Sequence, residues 1–237
     1  MLEFIAILTM IIDHVGIIFY PHDLIFRIIG RISFVIYAYL LAVGAKRTSN
    51  KKKYLLRILI SAIMSQWVYY SLISHELNIC FTLSAGLLVI IIYESNILRT
   101  KRYFLIMSVF VIAMVIGFDY GVYGICVIFA FYYFSNRPMK DIVVSQIIVL
   151  AISCYIFGIS MVQYVSLIAL MFIAFVQNKS PRYTKISWRI RYVNYLIYPI
   201  HLIILLVLTN LLPCLLSSYF LLILRCKCFN LLFKFLI

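Results

Sequence analysis

The chain has 237 residues, 66% of them hydrophobic and only 12% charged, with a formal net charge of +14 and a mean hydropathy of +1.10. Soluble domains are nearer half apolar and a quarter charged, so folding in water would leave far too much apolar surface exposed. The positive charge would suggest nucleic acid in a soluble protein, but here Lys and Arg cluster between apolar runs, as they do when they encode membrane topology, and no nucleic-acid partner is expected.

A membrane helix needs about 20 apolar residues, within a range of roughly 17–25. Spans are predicted at about 2–20, 24–45, 54–74, 78–97, 103–118, 121–134, 141–159, 162–177 and 192–212. The fold class is therefore all-α, a polytopic transmembrane helical bundle. It has about 9 spans, or 10 if the apolar stretch 214–224 after Pro213 also crosses. The first run carries Asp13 and His14 and has no small-residue cleavage site, so it reads as a span and not as a removable signal peptide.

The loops alternate in charge. Lys46, Arg47, Lys51, Lys52 and Lys53 follow the second span, and Arg99, Lys101 and Arg102 follow the fourth. Arg137 and Lys140 follow the sixth, and Lys179, Arg182, Lys185, Arg189 and Arg191 follow the eighth. By the positive-inside rule these loops face the cytoplasm, and the N-terminus lies with them. A tenth span would return Arg225, Lys227 and Lys234 to the same side. The opposite loops hold His22, Asp23, His75, Glu76 and Asp119. Arg27 and Arg31, at the outer end of the second span, break the pattern.

Ionisable groups inside a membrane helix are costly and usually face the bundle interior. Asp13 and His14 are adjacent, so they point about 100° apart on a helix, toward different neighbours. Arg27 and Arg31 are four apart and share a face. A short turn joins the first two spans, so Arg31 is expected near Asp13, as a pair that neutralises a buried charge. Arg27 is expected to share that face or to reach the interface. His201 follows Pro199, which can kink the ninth span, in the company of Asn194, Tyr195 and Tyr198. Ser65, Gln66, Asn78, Thr82, Asp119, Tyr120 and Tyr123 are softer polar sites that helix-to-helix hydrogen bonding alone would explain. The six Cys (Cys80, Cys126, Cys154, Cys214, Cys226 and Cys228) suggest neither a disulfide framework nor a metal site.

Several segments together resemble the TraX family of polytopic bacterial membrane proteins. They are MIIDHVGIIFYP (10–21), RIIGRISFVIYAYLLAVGAKRT (27–48), KYLLRILISAIMSQ (53–66), LNICFTLSAGL (77–87), FDYGVYGI (118–125) and YLIYPIHLIIL (195–205). The D-H-x-G plus G-R-x-x-F combination is fairly specific, whereas Y-P-x-H-L also occurs in other membrane acyltransferases. The resemblance implies a TraX-like transmembrane domain over 1–212 and a divergent hydrophobic and basic tail over 213–237. It marks Asp13, His14, Gly30, Arg31, Arg57, Gln66, Asn78, Thr82, Asp119, Tyr198 and His201.

The family's name-giving member acetylates the N-terminus of a pilin subunit in conjugation. The resemblance therefore implies an acetyltransferase of the bacterial cytoplasmic membrane that uses acetyl-CoA and no metal. Its acceptor would be a pilin-like protein or another cell-envelope molecule, and its surroundings membrane lipids. In this reading His14 is the general base, with His201 as second choice, and Asp13 orients a His tautomer. Arg31 or Asn78 would stabilise the thioester oxyanion. Arg27, Arg57, Gln66, Asn78, Thr82, Asp119 and Tyr198 would bind substrate. A proton-coupled transporter or flippase is the alternative, because a proton relay also needs buried Asp, His and Arg.

Overall fold

Hydrophobic runs broken by capping residues and charged turns give a chain of helices. The computed structural model describes residues 1–179 and 195–211. The elements are α1 (Leu2–Phe19), α2 (Leu24–Arg47), α3 (Lys51–Leu72), α4 (Ile79–Glu94), α5 (Arg99–Ile116), α6 (Gly121–Phe134) and α7 (Met139–Phe157), followed by a 3-10 stretch (Met161–Leu167) and α8 (Ile168–Lys179). A last helix, α9, covers Tyr195–Leu211. No strand occurs among the described residues. Arg182, Lys185, Arg189, Arg191, Asn194, the 214–224 stretch, Cys214, Cys226, Cys228, Arg225, Lys227, Lys234 and the tail 213–237 lie outside them.

Three helices start where a polar side chain takes up an otherwise unpaired N–H. Asp23 accepts from Ile25 N, Asn50 from Lys53 N and Asn78 from Cys80 N. Four helices, α1, α2, α3 and α7, are long and apolar enough to cross a membrane. α4 has 16 residues and α6 has 14. α5 reaches 18 residues but opens on Arg99, Lys101 and Arg102. The predicted eighth span begins as the 3-10 stretch, with the Ser160 hydroxyl accepting from Val162 N–H at 3.4 Å.

α2 is the central column. In its most apolar window 56% of residues are buried, against 33% in α1 and α3 and 28% in α7. It packs on α1, α4, α6, the 3-10 stretch and α8. α1 lies tightly against it: a Cβ on Gly16 would meet Phe26 Cβ at 2.0 Å, and one on Gly30 would meet Asp13 Oδ1 at 2.2 Å. The outer surfaces of α5 and α7 are apolar, with Phe104, Val115 and Tyr155 exposed. In water such faces would be a liability; in hydrocarbon they are the expected lipid-facing surface.

The two ends of the bundle differ. At one end Lys51 Nζ pairs with Glu94 Oε2 at 2.6 Å, and Tyr132 donates to Glu94. Lys46 Nζ reaches Asn136 Oδ1 at 3.3 Å and lies 4.9 Å from the Tyr132 ring centroid. This gathers the basic ends of α2 and α3 with the ends of α4 and α6. At the other end the turns around Tyr20–Asp23, Ser74–Leu77 and Gly117–Tyr120 converge, joined by Leu77 N–H to Gly117 O (2.9 Å) and Asp119 N–H to Leu77 O (3.0 Å).

Candidate functional site

A cavity of about 440 Å³ opens at this second end. Its ionisable lining is Asp13, His14, Tyr20, Arg27, Arg31, Tyr69, Glu76, Asp119 and Tyr120, from α1, α2, α3 and three turns. Asp13 and His14, pointing apart as adjacent helical residues must, have separate partners.

Asp13 faces α2. Arg27 Nη1 lies 3.2 Å from both carboxylate oxygens. The expected Asp13–Arg31 pair is thus corrected: the partner is Arg27, and Arg27 is no snorkelling anchor. The reason is register. Phe26 lies at Gly16, Gly30 at Asp13, and the Ser33 hydroxyl donates to Ala6 O at 2.9 Å. That antiparallel register places Arg27 opposite Asp13 and Arg31 one turn deeper. Arg31 turns to α6, donating to the Tyr120 hydroxyl at 3.1 Å, and Tyr120 stacks on Phe34 with centroids 3.9 Å apart. Asp119 sits in the turn before α6. Burial pushes its carboxyl up to about 6, against the pull of the Arg31 guanidinium.

His14 faces α9. Its Nδ1 lies 2.7 Å from Nε2 of His201. The ring planes differ by 7° and the centroids are 4.9 Å apart. The nitrogens are far closer than the centroids, so the rings meet edge to edge in one plane and do not overlap face to face. His201 Nδ1 lies 3.0 Å from Ile197 O, a carbonyl that can only accept. His201 Nδ1 therefore carries a proton. In the neutral pair His201 Nε2 then accepts, His14 Nδ1–H donates, and His14 Nε2 holds the free lone pair. This corrects the expectation that Asp13 orients the base: the tautomer is held by His201 and a backbone carbonyl. Pro199 helps to place the partner. It has no N–H to give to Tyr195 O, and the Ser61 hydroxyl of α3 takes that carbonyl at 2.9 Å.

Of the other expected site residues, Arg31 and Asp119 line the cavity with Asp13, His14 and Arg27. Tyr198 is buried with its ring edge-on to both His rings. Asn78 is fully engaged in structure. Its Nδ2 donates to Ala62 O (2.9 Å), Gln66 Oε1 (2.8 Å) and Ser65 Oγ (3.3 Å), and its Oδ1 caps α4. The oxyanion role expected for Asn78 is therefore withdrawn. Gln66 Nε2 donates to Glu76 O at 3.0 Å, so Gln66 and Asn78 together tie α3 to α4. Thr82 is buried against Gly124 in the α4–α6 contact. Arg57 lies near the opposite end, 6.0 Å from the Tyr54 ring centroid and 5.8 Å from that of Tyr195. None of these four lines the cavity.

Tyr69 and Glu76 were not among the expected site residues, and Tyr120 was named only as a softer polar site. Tyr69 lies one helical turn beyond Ser65 on the same face of α3, and Tyr120 adjoins Asp119, which are the signals that point to them. Among the described residues no group of three or more His, Cys, Asp or Glu is arranged to hold a metal ion. Cys80, Cys126 and Cys154 are free thiols.

The TraX family profile, described as "TraX protein", matches residues 1–209. The chain belongs to the TraX family. The match spans every helix described above and ends within α9, so the His14–His201 contact lies inside the shared TraX region. No curated protein and no solved structure gives a significant match to the chain.

Proposed function

We propose that this TraX protein is a membrane-bound acetyltransferase that moves an acetyl group from acetyl-CoA to the N-terminus of a pilin-like protein or another cell-envelope acceptor. The observation that carries the reading is the His14–His201 pair, whose hydrogen bonds leave a free imidazole lone pair on His14, a residue of the polar cavity wall. Family membership supports it, because the family name is tied to pilin acetylation.

In this account the protein sits in the bacterial cytoplasmic membrane as a bundle of nine spans, or ten with 214–224, among lipid partners. The basic end and the N-terminus face the cytoplasm, where acetyl-CoA is found. The cavity end faces outward, where the acceptor arrives. His14 Nε2 takes a proton from the attacking amine or hydroxyl. His14 Nδ1–H then shifts to His201 Nε2, and the imidazolium that results keeps its Nδ1–H on Ile197 O. The Asp13–Arg27 pair and the Arg31–Tyr120 bond shape the polar wall on which the acceptor rests.

Purified protein is to be incubated with labelled acetyl-CoA and membranes of its host, and the labelled product identified. Label in an envelope protein or glycan supports the reading and names the acceptor. An absence of transfer, together with proton or solute flux in vesicles that His14→Ala alters, would favour a transporter instead.

A further inference from the structure

Asn78 is bound into the α3–α4 contact, so the donors for a developing oxyanion are the N–H groups that Arg31 does not give to Tyr120 and any unpartnered hydroxyl beside the His pair. Tyr198 is 6% exposed, and its hydroxyl is fully buried with no hydrogen-bond partner among the described residues. Buried polar groups are almost always bonded, so an orphan calls for an explanation. Thr82 and Ser84 also hold buried hydroxyls without a hydrogen-bond partner among the described residues, but a short helical hydroxyl can rotate onto the carbonyl one turn back. A phenol at the end of a rigid ring cannot reach its own helix in that way.

The Tyr198 ring is held by the base pair itself. Its centroid lies 6.2 Å from that of His14 and 5.3 Å from that of His201, at 68° and 64°. Its electrostatic neighbours include Cys80, Tyr37, Tyr69 and Asp119, and the last two line the cavity. The ring is therefore packed on the His pair, and the charges acting on its buried hydroxyl include those of the cavity-wall residues Tyr69 and Asp119.

We infer that Tyr198 supplies the hydrogen bond to the carbonyl oxygen of the acyl donor, so that it is a catalytic residue of the acetyl transfer proposed above, on which this inference rests. The acceptor's lone pair attacks the thioester carbon as the proton passes to His14 Nε2. The carbon–oxygen π pair moves onto oxygen, which accepts the Tyr198 O–H hydrogen bond. The pair returns, the C–S bond breaks, the acetyl group stays on the acceptor, and the thiolate takes the proton back from His14 as free CoA thiol. Donors placed at such an oxygen act on the transition state more than on the bound substrate.

The test is Tyr198→Phe, which keeps the ring and removes only the hydroxyl. Transfer of labelled acetyl should fall about 100–1000-fold in kcat, while KM for acetyl-CoA moves by less than about threefold. Slow hydrolysis of acetyl-CoA should fall in parallel, since it passes through the same oxyanion. The melting temperature in detergent should hold or rise, because the hydroxyl makes no hydrogen bond among the described residues. Full activity in Tyr198→Phe beside an active wild type overturns this inference alone. Lower melting together with lower activity overturns it too, by assigning the hydroxyl to the fold. Inactive wild-type protein removes the acyl-transfer reading and this inference with it.

Discussion

His14 Nδ1 and His201 Nε2 meet at 2.7 Å across 187 residues of sequence, in nearly coplanar rings. One proton lies between them, and Ile197 O fixes which nitrogen it starts from. The two residues therefore act as one unit. His14→Ala removes the base, and His201→Ala removes the group that orients it and receives its second proton. Each single change should lower transfer about 10²–10⁴-fold. The double change should be no worse than the worse single one, because groups acting as a unit are non-additive. Multiplied losses in a steady-state assay of the three variants would show that the residues work separately.

The Asp13–Arg27 pair calls for a second cycle. Side-chain exposure is 14% for Asp13 and 34% for Arg27, so the pair is only partly desolvated. Asp13→Asn leaves a guanidinium beside a neutral amide. The cost should fall below the roughly 3–5 kcal/mol of a fully buried broken pair. Asp13→Asn with Arg27→Met should restore part of the loss, read as a melting temperature above that of Asp13→Asn alone. An additive double variant would mean that the pair contributes nothing.

Asp119 gives the site a pH dependence. Its carboxyl releases a proton near 3.8 when unperturbed and at about 6 in the fold. Between these values the native state holds more protons than the unfolded chain, so this group's contribution to stability is present at low pH and declines as pH rises toward 6. Asp119→Asn should melt with a shallower dependence across that window. An unchanged slope in thermal melts at stepped pH would contradict the assignment.

Much of this was legible in the sequence because its causes are local. Hydropathy placed the helical runs, although among the described residues four of them, and not the expected nine, are long and apolar enough to cross a membrane. The cost of a buried charge singled out Asp13, His14, Arg27 and Arg31. What was not legible depends on register and on contacts between distant helices. Arg27 and Arg31 share a helical face, and only the close approach at Gly16 and Gly30 decides which of them meets Asp13. The His14–His201 contact joins α1 to α9, and no periodicity reports that. Asn78 was rightly singled out as buried and polar, but its bonds to Ala62, Ser65 and Gln66 depend on how the loop returns the chain from α3.

Orientation is open to labelling. Introduced Cys at Asn50 and Thr100 should react with impermeant reagent from the cytoplasmic side, and Cys at Glu76 from the outside. The reverse pattern would place the cavity on the donor side and undo the path proposed for the acceptor.

The most direct test of the central claim compares wild type with His14→Ala in reconstituted vesicles that contain host envelope acceptor and are given labelled acetyl-CoA. The account predicts acetyl transfer by wild type and a loss of about 10²–10⁴-fold in His14→Ala, with both proteins inserted and melting alike. Transfer at the wild-type rate by a folded His14→Ala protein would contradict it.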